Sequence, residues 1–367
     1  MNFYMPVRLL TGRGIVAANA DLLASFGKKC MLVTSGSAAK RSGALDDVIA
    51  VLDDKGIAYT IFDGIQPNPT IASCIEAGRK AAAFGAEFVI GIGGGSPLDA
   101  SKVVAVCATN PTYEAADLYK LQWDNKPVPV VLVGTTSGTG SEVTQISVIT
   151  NPKGNKVGMR SDDLYAAVAF GDPRYTETMP LSVTATTGVD ALCHCIESYL
   201  NKTASDVSRA IALQGIKLLM PLMNEVADGI LPDAEKRETL YNASILGGMA
   251  ICVTGTVAPH AIGYLLSEQY NVPHGFACAA FLPALLDQTE AAAPELAAAF
   301  YADTGYGKPD YVGLVRKLLP AYDLHLTDEQ IHAAAPRWTL QNGNIAKTPG
   351  TCDQTVVEAF LRSVFGK

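Results

Sequence analysis

Four continuous apolar runs, each separated from the next by a stretch of helical composition, constrain this chain more than any other feature. Lys29 to Thr34, Tyr59 to Asp63, Glu87 to Gly91 and Val128 to Gly134 lack the polar alternation of a half-exposed strand. Short runs of this kind are strands covered on both faces, as in a parallel sheet. Between them, Ala44 to Asp54, Ile71 to Phe84 and Pro97 to Ala108 have helical composition and spacing. The alternation is the βαβ rhythm of a doubly wound, Rossmann-like nucleotide-binding domain. Gln145 to Thr150 and Lys156 to Arg160 flank Asn151-Pro152-Lys153-Gly154, which predicts a hairpin.

Composition shifts near Asp172-Pro173-Arg174. From Leu181 onward the segments are long and rich in Ala and Leu: Ser182 to Leu200, Ser205 to Met223, Ala234 to Val253 and Glu290 to Ala302, with little strand signal. A chain of 367 residues exceeds one ordinary core. The expectation is an α/β domain over residues 1–178 and an all-helical domain over residues 179–367.

The formal charge of −8 would repel a phosphate backbone, and no Lys/Arg run offsets it, so nucleic acid is not expected as a partner. The eight cysteines are scattered and form no CxxC pair, which predicts buried free thiols in a reducing compartment. Met-Asn-Phe-Tyr-Met-Pro lacks the order of a signal peptide, and the run from Phe276 to Leu286 is about half of a membrane span. A soluble, cytoplasmic protein is expected.

Phe88 to Lys102 combines a buried strand, a glycine turn (Gly93-Gly94-Gly95) and a helix start. Glycines let a backbone approach a diphosphate closely, and the helix behind them presents free N–H groups to the anion. Ser96 reads as the N-cap, Pro97 as the first helical residue and Asp99 as a capping-box acid. The turn is not the spaced GxGxxG fingerprint, and by itself it is equally a tight strand-to-helix connection. A second such turn, Gly134 to Thr144, follows the next strand and offers hydroxyl donors between glycines. Two turns after successive parallel strands face the sheet edge where ligands bind.

Asp190 and His194 are four apart, hence on one face of a helix. With His260 and His274, two of only five histidines, they could hold a divalent cation such as Fe(II) or Zn(II) and leave a position open. For any one of them taken alone the plainer account wins: Asp190 and His194 as a helix-surface pair, His260 and His274 as satisfied core histidines. His325 and His332 fall in a more charged region and read as surface residues. Cys193 and Cys195, roughly 100° to either side of His194 around the helix, read as packing residues.

Taken in order, these segments resemble the iron-containing alcohol dehydrogenase family over essentially the whole chain. The glycine motif is matched by Gly93 to Lys102, the threonine-rich loop by Gly134 to Thr144, and the helix motif by Thr187 to His194. The last signature is matched by His260 to Gly275, its two histidines fourteen positions apart. The resemblance implies a metal, usually iron and sometimes zinc, on Asp190, His194, His260 and His274. It implies dinucleotide phosphates over Gly94, Gly95 and Ser96, with Asn68, Asp99, Thr135, Thr136, Thr139 and Lys156 lining the cofactor site. It also implies that the helical domain carries metal and substrate, that the protein is a homodimer, and that a hydride passes between NAD(P) and a small alcohol or aldehyde.

Two positions depart from the family. Many members carry a further histidine ten residues before the Pro-His-Gly histidine, as a proton relay; here it is Tyr264, a poor base at its ordinary pKa near 10. NAD-using members often place an Asp after the second strand. Here Val33 to Arg41 contains no acid and two bases. That predicts NADP, its 2′-phosphate near Gly36, Ser37 and Lys40. The rival readings are a glycerol- or polyol-type dehydrogenase, a dehydroquinate-synthase-like lyase of the same superfamily, and a nucleotide- and metal-binding sensor without turnover.

Overall fold

The computed structural model describes residues 3–338 and 343–366. The chain divides into two compact units. One comprises Tyr4–Met179 together with Asp233–Tyr241; the other comprises Phe3, Pro180–Pro232 and the described residues from Asn242 onward.

The α/β unit is built on strands β1 (Arg8–Thr11), β2 (Lys29–Val33), β3 (Ala58–Phe62), β4 (Phe88–Gly93), β5 (Val130–Gly134), β6 (Ile146–Thr150), β7 (Lys156–Arg160) and β8 (Val168–Gly171). Six of these form one all-parallel sheet in the order β1-β8-β5-β4-β2-β3. Every residue of β4 and β5 is buried, as their unbroken apolar composition requires of central strands. Helices Ala44–Asp54, Ile71–Phe84 and Gly95–Thr109 connect them. The second is capped by Thr70, whose hydroxyl accepts the Ser73 N–H, and it ends on Gly85 in the left-handed conformation.

From β2 the chain runs to β3 at one edge, whereas β4, β5 and β8 build outward in the opposite direction. The switch therefore falls between β2 and β4, and an open parallel sheet binds ligands outside the strand ends at such a point. β6 and β7 form the antiparallel hairpin expected around residues 151–154, closed by Asn151 Oδ1 accepting the N–H of Lys153 and of Asn155.

The sequence reading missed β1 and β8. β1 is a four-residue edge strand exposed at both ends, and β8, although buried, is four residues long and stops at Asp172-Pro173. Neither is long enough to give a periodic signal.

The Asp233–Tyr241 segment is anchored within the α/β unit. The Arg237 guanidinium donates to Met179 O, and the Tyr241 hydroxyl donates to Glu142 Oε1, all of these side chains being buried.

Among the described residues of the second unit, every regular element is a helix. Leu181–Leu200 is buried on every side from Gly188 to its end, the behaviour of a core helix. Asp206–Ala227 begins at Ser205, whose hydroxyl accepts the Ser208 N–H. Ala258–Gln269 and His274–Ala279 follow. Cys193 and Cys195 are buried among these helices, and all eight cysteines are free. His325 and His332 are exposed. Among the described residues no single helix is long and apolar enough to cross a membrane.

Candidate functional site

In the helical unit, four predicted ligands converge. Asp190 and His194 lie one turn apart on Leu181–Leu200; His260 enters from the first turn of Ala258–Gln269 and His274 from the start of His274–Ala279. The Nε2 atoms of His260, His274 and His194 stand 3.5, 3.8 and 3.9 Å from Asp190 Oδ1. Those separations are too long for hydrogen bonds. Ligands on bonds of about 2.0–2.1 Å to one tetrahedral ion would stand roughly 3.3–3.5 Å apart, so the spacing suits donors sharing a cation.

Two further observations fit. Asp190 Oδ1 and His260 Nε2 are buried and have no hydrogen-bond partner in good geometry, an expensive arrangement unless something else satisfies them. Burial alone would raise the Asp190 carboxyl, but the facing His194, His274 and His260 outweigh it and hold the group well below the ordinary carboxylate range. The Asp190 carboxyl therefore stays ionised in this pocket. Asp190, His194 and His260 side chains are 5, 6 and 4 % exposed and His274 32 %, so the cluster opens on the His274 side.

The His274–Ala279 helix reaches the cluster because Gly275 has no side chain. A Cβ there would lie 1.9 Å from Thr186 O and 3.0 Å from Asp190 Cβ. Tyr264, half-buried, stacks on the His274 ring at 5.7 Å and 16°.

The sequence reading missed Glu197. Its Oε1 lies 2.5 Å from His260 Nδ1 while Oε2 accepts the Val257 N–H. A carboxylate only accepts, so Nδ1 carries a proton and Nε2 is the ring atom left facing the cluster. The signal was present: Glu197 follows His194 by three positions, on the same helix as both Asp190 and His194.

In the α/β unit, the two glycine turns lie side by side at the C-terminal ends of β4 and β5. Gly93 pairs with Gly134, and Thr135 N–H donates to Gly93 O. A Cβ on Gly95 would stand 2.7 Å from Thr139 Cγ2, and one on Gly94 3.1 Å from Thr136 Cγ2. A methyl group at either position would press on the facing threonine side chain. Ser137 Oγ, fully buried, has no partner. Gly36, Ser37 and Lys40 are exposed beyond the end of β2; Gly36 is left-handed, and Arg41 donates to the Ser37 hydroxyl.

The helix after the first turn starts at Gly95, with Gly94 as its N-cap, so Ser96 lies inside the first turn and is not the cap. Asp99 does not reach back as a capping acid. Its Oδ1 accepts the Ser141 hydroxyl and its Oδ2 the Val148 N–H, which ties the helix to the second turn and to β6. Gly94 holds the N-cap in extended geometry, with no side-chain cap there.

Lys102, given no role from sequence, is fully buried. Its Nζ donates to Ser141 O (2.8 Å), Ser141 Oγ (2.9 Å), Thr144 O (3.0 Å) and Ile146 O (2.7 Å), fixing the exit of the threonine loop. Asn68 sits exposed and left-handed with its carbonyl accepting the Thr150 hydroxyl, and Lys156 opens β7.

An open parallel α/β sheet with paired glycine turns, joined in one chain to a helical unit carrying one carboxylate and three converging imidazoles, defines a class of metal-dependent, nucleotide-using oxidoreductases. The comparisons agree. Residues 6–173 match the iron-containing alcohol dehydrogenase family, and residues 184–303 match the C-terminal region of the Fe-containing alcohol dehydrogenase family. Long-chain-alcohol dehydrogenase 1 of Geobacillus thermodenitrificans is 37 % identical over 267 residues, covering 70 % of this chain and 66 % of that protein. The 1,3-propanediol dehydrogenase of Citrobacter freundii is 34 % identical over 302 residues, covering 80 % and 75 %. The crystal structure of an iron-containing alcohol dehydrogenase from Thermotoga maritima superposes with a TM-score of 0.90 at 32 % identity, covering 100 % of this chain and 99 % of that one. The chain belongs to the iron-containing alcohol dehydrogenase family, and its chemistry is alcohol–aldehyde oxidoreduction.

Proposed function

We propose that the protein is an NADP-preferring, metal-dependent dehydrogenase and aldehyde reductase for small primary alcohols. The observation that carries the reading is the convergence of three imidazole Nε2 atoms on Asp190 Oδ1. Asp190, His194, His260 and His274 hold the cation, iron in the first instance with zinc as the alternative. Bound there, a divalent ion supplies Lewis acidity toward an alcohol or carbonyl oxygen. The dinucleotide supplies or receives the hydride.

The chain's own groups do the rest. Gly94, Gly95 and Ser96 cradle the diphosphate with backbone N–H groups at a helix start. Thr135, Thr136 and Thr139 add hydroxyl donors, Asp99 braces the loop that carries them, and Asn68 and Lys156 border the same site. Tyr264, whose ring stacks on His274, orients that imidazole and passes the alcohol proton. Gly36, Ser37 and Lys40, exposed after β2 in a segment whose own residues 33–41 include no acid, receive a 2′-phosphate.

The same reading takes the α/β cofactor domain as residues 1–178 and the metal and substrate domain as residues 179–367. It takes the protein as a homodimer in the cytoplasm, where eight unpaired thiols are stable.

Elemental analysis of protein purified without oxygen, followed by a panel of alcohols and aldehydes with both cofactors, tests the whole. The expected result is one transition metal per chain, turnover of butyraldehyde with NADPH, and a kcat/KM for NADPH above that for NADH. Lys40→Ala should lower the NADPH value more than the NADH value. Full activity in metal-free protein sinks the metal role; a higher kcat/KM with NADH sinks the cofactor preference.

A further inference from the structure

The His274–Ala279 helix directs a second donor toward the same cluster. Cys278 lies one turn after His274 and is fully buried, with Sγ 3.7 Å from His274 Nδ1 and 3.8 Å from His274 Nε2. One ligand atom from each of Asp190, His260, His274 and Cys278 falls within 4.8 Å of all the others. Bonds of about 2.1 Å to nitrogen and 2.3 Å to sulfur place such atoms roughly 3.6 Å apart around a single tetrahedral ion. The set includes two buried atoms with no hydrogen-bond partner in good geometry, Asp190 Oδ1 and His260 Nε2. Two donor sets thus overlap on Asp190, His260 and His274, one completed by His194 and the other by Cys278.

Resting on the reading of this cluster as a metal centre, we propose that Cys278 is a further protein ligand of the cation. The thiol gives its proton to solvent as the metal–sulfur bond forms, so the centre offers one carboxylate, three imidazoles and one thiolate. A soft sulfur donor shifts preference from Fe(II) toward Zn(II) and Co(II), and its second negative charge reduces the residual positive charge at the ion. The metal preference of this chain is then set at position 278, on the short helix that also carries His274.

The test is Co(II) loaded into the metal-free full-length protein, read by absorbance. The wild-type protein should show visible ligand-field bands from its nitrogen and oxygen donors and, in addition, an intense near-ultraviolet thiolate-to-cobalt charge-transfer band. Cys278→Ser should keep the visible bands and lose the near-ultraviolet one, whereas Cys193→Ser should keep both. Zinc affinity, measured by competition with a chromophoric chelator, should fall by roughly tenfold or more in Cys278→Ser. Visible bands without the charge-transfer band in the wild-type protein, or a band that survives in Cys278→Ser, overturns sulfur ligation while leaving the metal centre standing. Failure of Co(II) to bind at all overturns the metal-centre reading itself. The wild-type spectrum needs no variant, so a Cys278→Ser chain that does not fold still leaves a decisive measurement.

Discussion

Glu197 holds His260 by its Nδ1, at 2.5 Å, with a carboxylate that is itself fixed by the Val257 N–H and fully shielded from water. The residue that orients the imidazole lies on the same helix as Asp190 and His194. Three positions of one helix therefore set two donors directly and a third through its partner. Such outer contacts raise ligand basicity and hold ring orientation, and their loss costs about 10–100-fold in metal affinity. Glu197→Ala is expected to weaken zinc binding by that factor, measured by chelator competition, with NADPH binding unchanged. An unaltered zinc affinity would show that His260 needs no such support.

Gly275 permits the close approach that brings His274 to Asp190. A methyl group there meets a backbone oxygen, Thr186 O at 1.9 Å, and not the movable end of a side chain. Relief requires displacing the His274–Ala279 helix. Gly275→Ala is expected to lower stability by about 1–3 kcal/mol or more, the usual cost of overpacking, and to lower metal occupancy at the same time. Urea unfolding and metal analysis on the same preparation check it; full occupancy with wild-type stability would mean that the two helices separate without consequence.

How much of this was legible in the sequence follows from the reach of each signal. The Ala44–Asp54 and Ile71–Phe84 helices stand where their periodicity put them, because each pairs a continuous pattern with sharp ends. β1 and β8 left no trace, since four residues cannot display a period. The four candidate ligands could be named because histidines are few here. Glu197 left one trace, its place three positions after His194 on the same helix, whereas Cys278 and Lys102 act through tertiary contacts, and nothing in a buried Cys or Lys announces what it will face once helices pack. Asp99 shows the opposite failure: a local capping rule was available, but Ser141 and Val148 offered better partners from 42 and 49 positions away.

Glu142 gives the protein a pH dependence of determined sign. Burial raises its carboxyl above the ordinary 4.5, against the opposing effects of its own backbone N–H and the Tyr241 hydroxyl. Between 4.5 and that raised value, the folded chain keeps a proton that the unfolded chain has released. Stability therefore falls as pH rises through this interval and is level above it. Glu142→Gln cannot ionise, keeps an acceptor for Tyr241, and should lack this component. Urea unfolding from about pH 4 to 8 should show the variant gaining on the wild-type chain as pH rises; parallel curves would assign the carboxyl no role.

Lys102 is the residue whose removal should damage the threonine loop most. Its ammonium group satisfies the carbonyl oxygens of Ser141, Thr144 and Ile146 at once, in the interior of the α/β unit. Methionine fills much of the same space and donates nothing, leaving three buried acceptors without this donor at about 1–3 kcal/mol each. Because the lysine itself is paid for by those contacts, the net loss for Lys102→Met should sit near the low end of their sum, about 3 kcal/mol. The loop between β5 and β6 would lose its anchor while the helical unit keeps its donors. NADPH affinity should thus fall while zinc affinity holds, a split that fluorescence titration and chelator competition can separate. Equal losses of both would point to general unfolding, and retention of both would remove Lys102 from the cofactor site's support.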